Sequence, residues 1–479
     1  MVDVPRTSAI DAQTGLIQLA EEDVGSHHSR HGGADHEKKL QIEDDHSITD
    51  AVAIHSREIP VLDDPSLFPE GGRKAYMVLF GSFCGMVSCL AFLNSAGVMQ
   101  NYLVEHILTT TPTSTIGWIF SINSFIQFGC LLVVGPIFDR LGAKIPLMAG
   151  ICLFAIGYLC CSWATKPYQF ILSYSIVGGL GASLIFCCNI GVLSHWFLKR
   201  RGQAIGTSYL GGALGGALFP VMYRSLFPQI GFGWTVRVGT FICLALSVVS
   251  LLLIEDRNSV FARASTNESV FMEVIKTIDI RVFKDKVYTC LVLSLLGQGF
   301  AFMVTSTYVT SYSTAQGFSP DKSYLLILTF NSLSIPGRIL PGILADKYGR
   351  FNMLCIICSC STITIFVLWL NTKVSHTLVG LFIFSGVYGF TSGSTLSLAP
   401  TCVGQISKTQ DFAKRTGTAF FVFSFGDLIG IPIGGAIAGA NTSKSYDNMV
   451  IFVAISSIFG TCGAFLSRYL YAGFKPVRV

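Results

Sequence analysis

The chain has 479 residues, of which 51% are hydrophobic and only 13% charged, and its mean hydropathy is +0.58. Soluble globular proteins carry roughly 25% charged residues, so a soluble product is excluded, and a formal net charge of +5 is too dilute for a nucleic-acid binder. That net charge divides at Lys74: residues 1–74 hold 15 acids and 7 bases, whereas residues 75–479 hold 13 acids and 26 bases.

Residues 1–74 contain no apolar run long enough for a signal peptide. Six of the nine histidines lie there, His27, His28, His31, His36, His46 and His55, scattered among Asp, Glu, Ser and Gly without ligand spacing. The composition predicts a disordered cytoplasmic tail rather than a metal site.

From Ala75 onward, apolar stretches of about 20 residues alternate with short polar breaks, as membrane-spanning helices require. The predicted spans are 75–101, 114–138, 145–164, 168–197, 203–226 and 234–254, then, after a polar connection at 255–286, 287–313, 322–345, 352–370, 376–406, 416–440 and 447–471. This divides the chain into a first six-helix bundle at 75–254, a cytoplasmic connection at 255–286, a second bundle at 287–471 and a short cytoplasmic end at 472–479. With both termini inside, the inner loops and C-terminal end receive 19 Lys or Arg and the outer side five, the asymmetry that fixes membrane orientation. An odd number of spans would spoil that alternation. Asn441-Thr-Ser443 forms a glycosylation sequon on a predicted outer loop, too near the membrane to be used.

All 15 cysteines lie between Cys84 and Cys462, nearly all inside apolar runs, where Cys behaves as a small buried hydrophobe. The Cys355-x-x-Cys358 pair has no His or acidic neighbours, so neither metal nor redox chemistry is expected of it. No triad, paired carboxylates or metal cluster is present for catalysis, and the glycine runs at Gly178–Gly181 and Gly211–Gly216 lie in apolar helices without a preceding strand, unlike a nucleotide-binding loop. No enzyme activity, cofactor or metal is expected.

The halves resemble each other. Gly135-Pro-Ile-Phe-Asp139-Arg140-Leu-Gly142 after the second span and Gly342-Ile-Leu-Ala-Asp346-Lys347-Tyr-Gly349 after the eighth share the pattern G-x-x-x-D-(R/K)-x-G at an offset of 207 residues. Phe197-Leu-Lys199-Arg200 and Phe412-Ala-Lys414-Arg415 repeat at an offset of 215. Two motifs repeating in order at nearly one offset indicate a duplicated six-helix unit. The first glycine of the loop permits close helix approach, and the aspartate can face a neighbouring helix N-terminus or a basic group. Such a clasp would hold one state of a rocking pair of bundles.

This two-copy loop on twelve spans resembles the major facilitator superfamily. Glu70-Gly71-Gly72-Arg-Lys-Ala75-Tyr76, Leu93-Asn94-Ser95-Ala-Gly97 and Asn331-Ser-Leu-Ser334-Ile-Pro-Gly337-Arg338 resemble its fungal monocarboxylate-porter-like branch. Ser114-Thr115-Ile116-Gly-Trp118, Trp196-Phe197-Leu198-Lys199 and Gly404-Gln405-Ile406-Ser407 are most similar to fungal plasma-membrane riboflavin transporters and their paralogues. The resemblance implies an all-α fold of two pseudo-symmetric six-helix bundles working by alternating access in the plasma membrane. It also implies two departures from proton-coupled lactate carriers: Asn94 stands where they have Lys, and Ser334 where they have Asp. A neutral, hydrogen-bonding substrate such as riboflavin, moved by facilitated diffusion, fits these changes better than lactate.

Charges within spans are functional candidates by default. Arg338 is expected to contact substrate or gate, and Asp427, at similar depth, to pair with it or couple protons. Asn94, Asn123, Asn189, Gln298 and Asn331 are candidate substrate amides, with Gln127 beside them. Tyr308 is the candidate stacking ring in that set, alongside Tyr102, Phe120, Phe330 and Tyr388. The expected partners are a small-molecule substrate and the lipid bilayer, without nucleic acid, for a monomer. A monocarboxylate or other organic-solute carrier, or a non-transporting nutrient sensor on the same fold, are the alternatives.

Overall fold

The computed structural model describes residues 64–257, 260, 280–439 and 443–473. The predicted tail up to residue 63, most of the connection at 255–286, Asn441 of the sequon and the last six residues lie outside the described residues.

Among the described residues, eleven helices are long and apolar enough to cross a membrane, and one of them is double. The run Arg201–Leu253 breaks at Gly231, where φ 71° and ψ 175° are not helical, three residues after Pro228. The left-handed φ suits glycine and turns the chain back on itself. The twelve spans are therefore α1 (Arg73–Ile107), α2 (Thr115–Leu141), α3 (Lys144–Cys161), α4 (Pro167–Leu193), α5 (201–230) and α6 (232–253). Then follow α7 (Lys286–Ala315), α8 (Pro320–Tyr348), α9 (Arg350–Trp369), α10 (Leu378–Gln405), α11 (Phe412–Ala438) and α12 (Ser443–Ala472). Among the described residues there is no strand. The first span runs longer than its apolar composition predicts, because it continues through a break at Ser95 into a wide π turn at Leu103–Ile107.

The exterior is apolar: Leu252 is 76% exposed, Val379 69% and Trp163 65%. A soluble surface would not carry so many large hydrophobic side chains. With every backbone ladder closed inside a helix, this exterior faces lipid. The polar groups turn inward, and many are serines and threonines that bond the carbonyl one turn back, as Thr240 does to Val236 (2.7 Å).

Packing repeats between the halves. Helix α1 lies against α4 and the α5–α6 run, and α7 lies against α10, α11 and α12. The two halves meet along two seams, α2 against α11 and α5 against α8. Gly142 (φ 76°) and Gly349 (φ 104°) end α2 and α8. They are the last glycines of the two repeated loops, and each takes the positive φ that lets the chain reverse into the next helix. The fold is that of an all-α membrane protein with twelve spanning helices.

Candidate functional site

The first glycines of the repeated loops explain the tight end of each seam. A Cβ on Gly135 would strike the backbone carbonyl of Ala413, and one on Gly342 would lie 2.5 Å from that of Gly202. With the backbones this close, each loop aspartate reaches main-chain donors of the other half. Asp139 Oδ2 accepts from Lys414 N (2.9 Å) at the start of α11. Asp346 accepts from Gly202 N on Oδ1 (3.0 Å) and from Gln203 N on Oδ2 (2.8 Å) at the start of α5. Helix N-termini offer free N–H groups and positive potential, so both carboxylates sit where their charge is stabilised. Arg350 ties the second clasp further, donating to Leu198 O (2.6 Å) while lying 3.4 Å from Asp346. Arg140 and Lys347 accompany the aspartates on the two loops. Lys347 is exposed, with its ammonium 5.3 Å from the Tyr348 ring centre.

Further into the membrane, the glycine stripe of α5 gathers three of the candidates. Arg338 of α8 donates from Nη1 to Tyr209 O (2.7 Å), and its guanidinium lies 6.0 Å from the Tyr209 ring centre. A Cβ on Gly206 would strike the Arg338 carbonyl, and one on Gly212 would come 2.9 Å from Nη1. Asn94 of α1 donates to Gly212 O (2.9 Å), and Asn331 of α8 donates to Gly216 O (3.4 Å). Asn94, Asn331 and Arg338 thus converge on residues 209–216 of one helix.

Asp427 is on the other seam, and the ion pair expected between it and Arg338 is not formed. Its Oδ2 lies 2.5 Å from Ser124 Oγ of α2, it is fully buried, and Oδ1 has no partner. Equal depth along α8 and α11 did not bring the charges together, because α8 faces α5 while α11 faces α2. Ser334, one turn before Arg338, donates to Asn331 O of its own helix (2.7 Å), so no acid stands beside the guanidinium at that position either.

The remaining candidates separate by what their side chains do. Asn123 and Asn189 are fully buried. Asn123 donates to Tyr174 O (2.8 Å), while Asn189 donates to Ile185 O (2.7 Å) and accepts from Ser250 Oγ (2.9 Å). These amides join α2, α4 and α6 inside the first half, where each donates one N–H to a main-chain carbonyl and Asn123 Oδ1 is left without a partner. Gln127 similarly donates to Cys89 O (3.0 Å). Tyr308 donates to Ile431 O (2.9 Å), across α7 and α11. Gln298 is bound to Ser457 O and Thr461 Oγ1 (3.2 Å each), and it also lines a cleft between α7, α10 and α11. Phe302, Tyr388, Thr395, Phe420 and Phe423 are among the other residues of that lining. From the first half, Phe128 stacks on Phe420 and meets Phe423 edge-on, with centroids 5.6 and 5.7 Å apart.

Sequence reasoning treated Arg201 as a loop charge that fixes topology. It is fully buried, donates to Gly404 O (2.9 Å) and Thr409 Oγ1 (3.2 Å), and lies over the Phe412 ring. A signal was available: Lys199 and Arg200 have basic counterparts 215 residues on, whereas Arg201 matches Thr416. Glu70, a polar residue in a resemblance motif, and Ser124, which lies outside every motif, also have partners that no charge placed opposite them in the sequence signals.

Twelve spans in two halves, joined along two seams and sealed by repeated loops at one end, define a membrane transporter of two helical bundles. A model of the Major Facilitator Superfamily matches residues 81–375. The chain belongs to that superfamily. It is 37% identical over 424 residues to the riboflavin transporter MCH5 of Saccharomyces cerevisiae, covering 86% of this chain and 81% of that protein. It is 30% identical over 420 residues to MFS-type transporter 1 of an Ophiocordyceps species, covering 87% and 91%. It is also 30% identical over 426 residues to the aspyridones efflux protein apdF of Emericella nidulans, covering 88% and 83%.

Proposed function

We propose that this transporter carries riboflavin or a related flavin by facilitated diffusion through alternating access, as a monomer in the plasma membrane. Residues 75–254 and 287–471 are the two moving bundles, and 255–286 is their cytoplasmic connection. The termini and the repeated clasp loops face the cytoplasm, so the described state is the one closed on that side. The observation that carries the substrate reading is the likeness to the riboflavin transporter, joined to the seam chemistry. Asn94, Asn331 and Gln298 are neutral amides, and four aromatic rings line part of the narrow cleft beside Gln298, groups that would offer hydrogen bonds and stacking to a flat ring system once the bundles open. Arg338 is the gate of this reading, since it spans the α5–α8 seam and must release Tyr209 when the bundles rock.

The test is uptake of labelled riboflavin and of labelled lactate into cells lacking their own carriers, with and without this protein. Riboflavin uptake that depends on the protein is expected, and lactate uptake without it would overturn the substrate. The likeness to an aspyridones efflux protein favours a second reading, export of a larger organic solute. Preloaded cells that lose riboflavin no faster with the protein, yet export such a solute, would establish it.

A further inference from the structure

Just before α1, Glu70 is the only non-glycine with positive φ among the described residues (53°). That conformation is costly for a long side chain, and its surroundings show what holds it. Glu70 N donates to Trp196 O (3.1 Å). Its carboxylate accepts from Leu198 N (2.7 Å) and Lys199 N (2.6 Å) on Oε1 and from Arg200 N (3.2 Å) on Oε2. One side chain therefore takes three successive main-chain donors of the loop between α4 and α5.

The next donors along that loop belong to the other half of the molecule. Gly202 N and Gln203 N go to Asp346, and Leu198 O, in the same peptide stretch, accepts from Arg350. Residues 198–203 are thus shared between an acid before α1 and an acid in the last turn of α8. The segment carrying Glu70 is itself fastened to the chain just after α6. Arg257 Nη1 donates to Leu67 O (2.5 Å), Trp196 Nε1 donates to Glu255 O (2.7 Å), and Lys74 pairs with Glu255 (3.2 Å). The other clasp is supported differently: Tyr288 donates to Arg415 O (2.7 Å), and Arg415 lies 4.0 Å from Asp285.

We propose that Glu70 is a positioning residue for conformational change: by fixing the amides of Leu198, Lys199 and Arg200 it presents those of Gly202 and Gln203 to Asp346, and so sets how firmly the clasp end stays shut. This rests on the alternating-access reading but not on any substrate. Five N–H groups in six residues are divided between two carboxylates of opposite halves, so loosening the first grip misaligns the second. Charge-assisted bonds to backbone N–H are about twice as strong as neutral ones, and the loss of one such grip changes an opening equilibrium by about tenfold or more.

The test is amide hydrogen exchange of the purified full-length protein, which needs no substrate and stays readable if riboflavin is not carried. Glu70→Gln is expected to raise exchange about tenfold or more at residues 198–203 and also at Lys414, whose N–H is held by Asp139 in the other clasp. Arg73→Gln, a change on the same segment at an exposed side chain, is expected to leave both unchanged. Asp346→Asn alone should open both clasps, and adding Glu70→Gln to it should give no further rise at Lys414. Exchange that rises only at 198–200, or effects of the two variants that multiply at Lys414, would reduce Glu70 to local loop packing and overturn the proposal. Riboflavin uptake by Glu70→Gln, if the wild type shows uptake, should change in maximal rate with an unchanged KM, because the residue is remote from the cleft. A changed KM with an unchanged rate would count against it.

Discussion

Ser124 and Asn331 stand 207 positions apart, the offset of the repeated loops, and both bridge the halves: Ser124 meets Asp427 at 2.5 Å and Asn331 meets Gly216 O at 3.4 Å. The two seams are thus built on the same plan with different chemistry, one closing on a carboxyl group and the other on a main-chain carbonyl. Asp427→Asn keeps an oxygen for Ser124 and removes the group that could take up a proton. Under facilitated diffusion, the variant should retain riboflavin uptake within about fivefold, since a single neutral hydrogen bond contributes about 1 kcal/mol. Its uptake should vary with pH as the wild type's does. A wild-type rate that climbs in acid, and an Asn variant that loses the climb, would replace uniport by proton coupling.

Arg338 is almost fully buried, and its Nε has no hydrogen-bond partner. The guanidinium therefore holds to Tyr209 by one bond and by the face of the ring, an arrangement a compact ammonium does not reproduce. Arg338→Lys should keep the positive charge yet lower maximal uptake by about tenfold, the equivalent of about 1.4 kcal/mol, at equal amounts of protein in the membrane. Retained uptake in Arg338→Lys would reduce the residue to a charge of no particular shape.

The glycines of the seams provide an internal control. Added Cβ atoms at Gly206 and Gly417 would strike the carbonyls of Arg338 and Leu131, whereas one at Gly97 would meet nothing within 4 Å. Gly206→Ala and Gly417→Ala should each destabilise the closed form by about 1–3 kcal/mol, the usual cost of overpacking, and lower the melting temperature of the purified protein. Gly97→Ala should melt with the wild type. Equal melting temperatures for all three would show that the seams yield freely.

Arg201 joins α5 to Gly404 and Thr409 of the second half. Because it is fully buried, Arg201→Gln leaves those acceptors short of donors, at about 1–3 kcal/mol. The expected result is a large loss of stability in the detergent-purified protein, while Lys199→Gln, at an exposed side chain, should be neutral. A neutral Arg201→Gln would show that water reaches this crossing.

The twelve spans were legible because lipid imposes one length and one composition on every helix, and span boundaries fell within a few residues of the helix ends. The break at Gly231 sits in the gap left between the fifth and sixth runs for the same reason. The repeated loop was legible as chemistry, since glycine, aspartate and glycine each have one steric or electrostatic use there. What composition does not carry is azimuth. Arg338 and Asp427 share a depth, but the direction a residue faces around its helix is set by neighbours, and those neighbours are α5 for one and α2 for the other. The same gap explains Asn123 and Asn189: a mid-span amide reads identically whether it faces a cavity or a packed helix. Glu70 was legible as part of a resemblance motif, but its partners are N–H groups, which every residue but proline has, and no pattern of side chains marks them.

That last point has a consequence for how this molecule can vary. Both clasps are carboxylate locks whose keyholes are cut in the main chain, at Gly202, Gln203 and Lys414. Side-chain identity at Gln203 is therefore open to drift, because almost any replacement carries the same donor in the same place. Only proline is barred there, for want of the hydrogen.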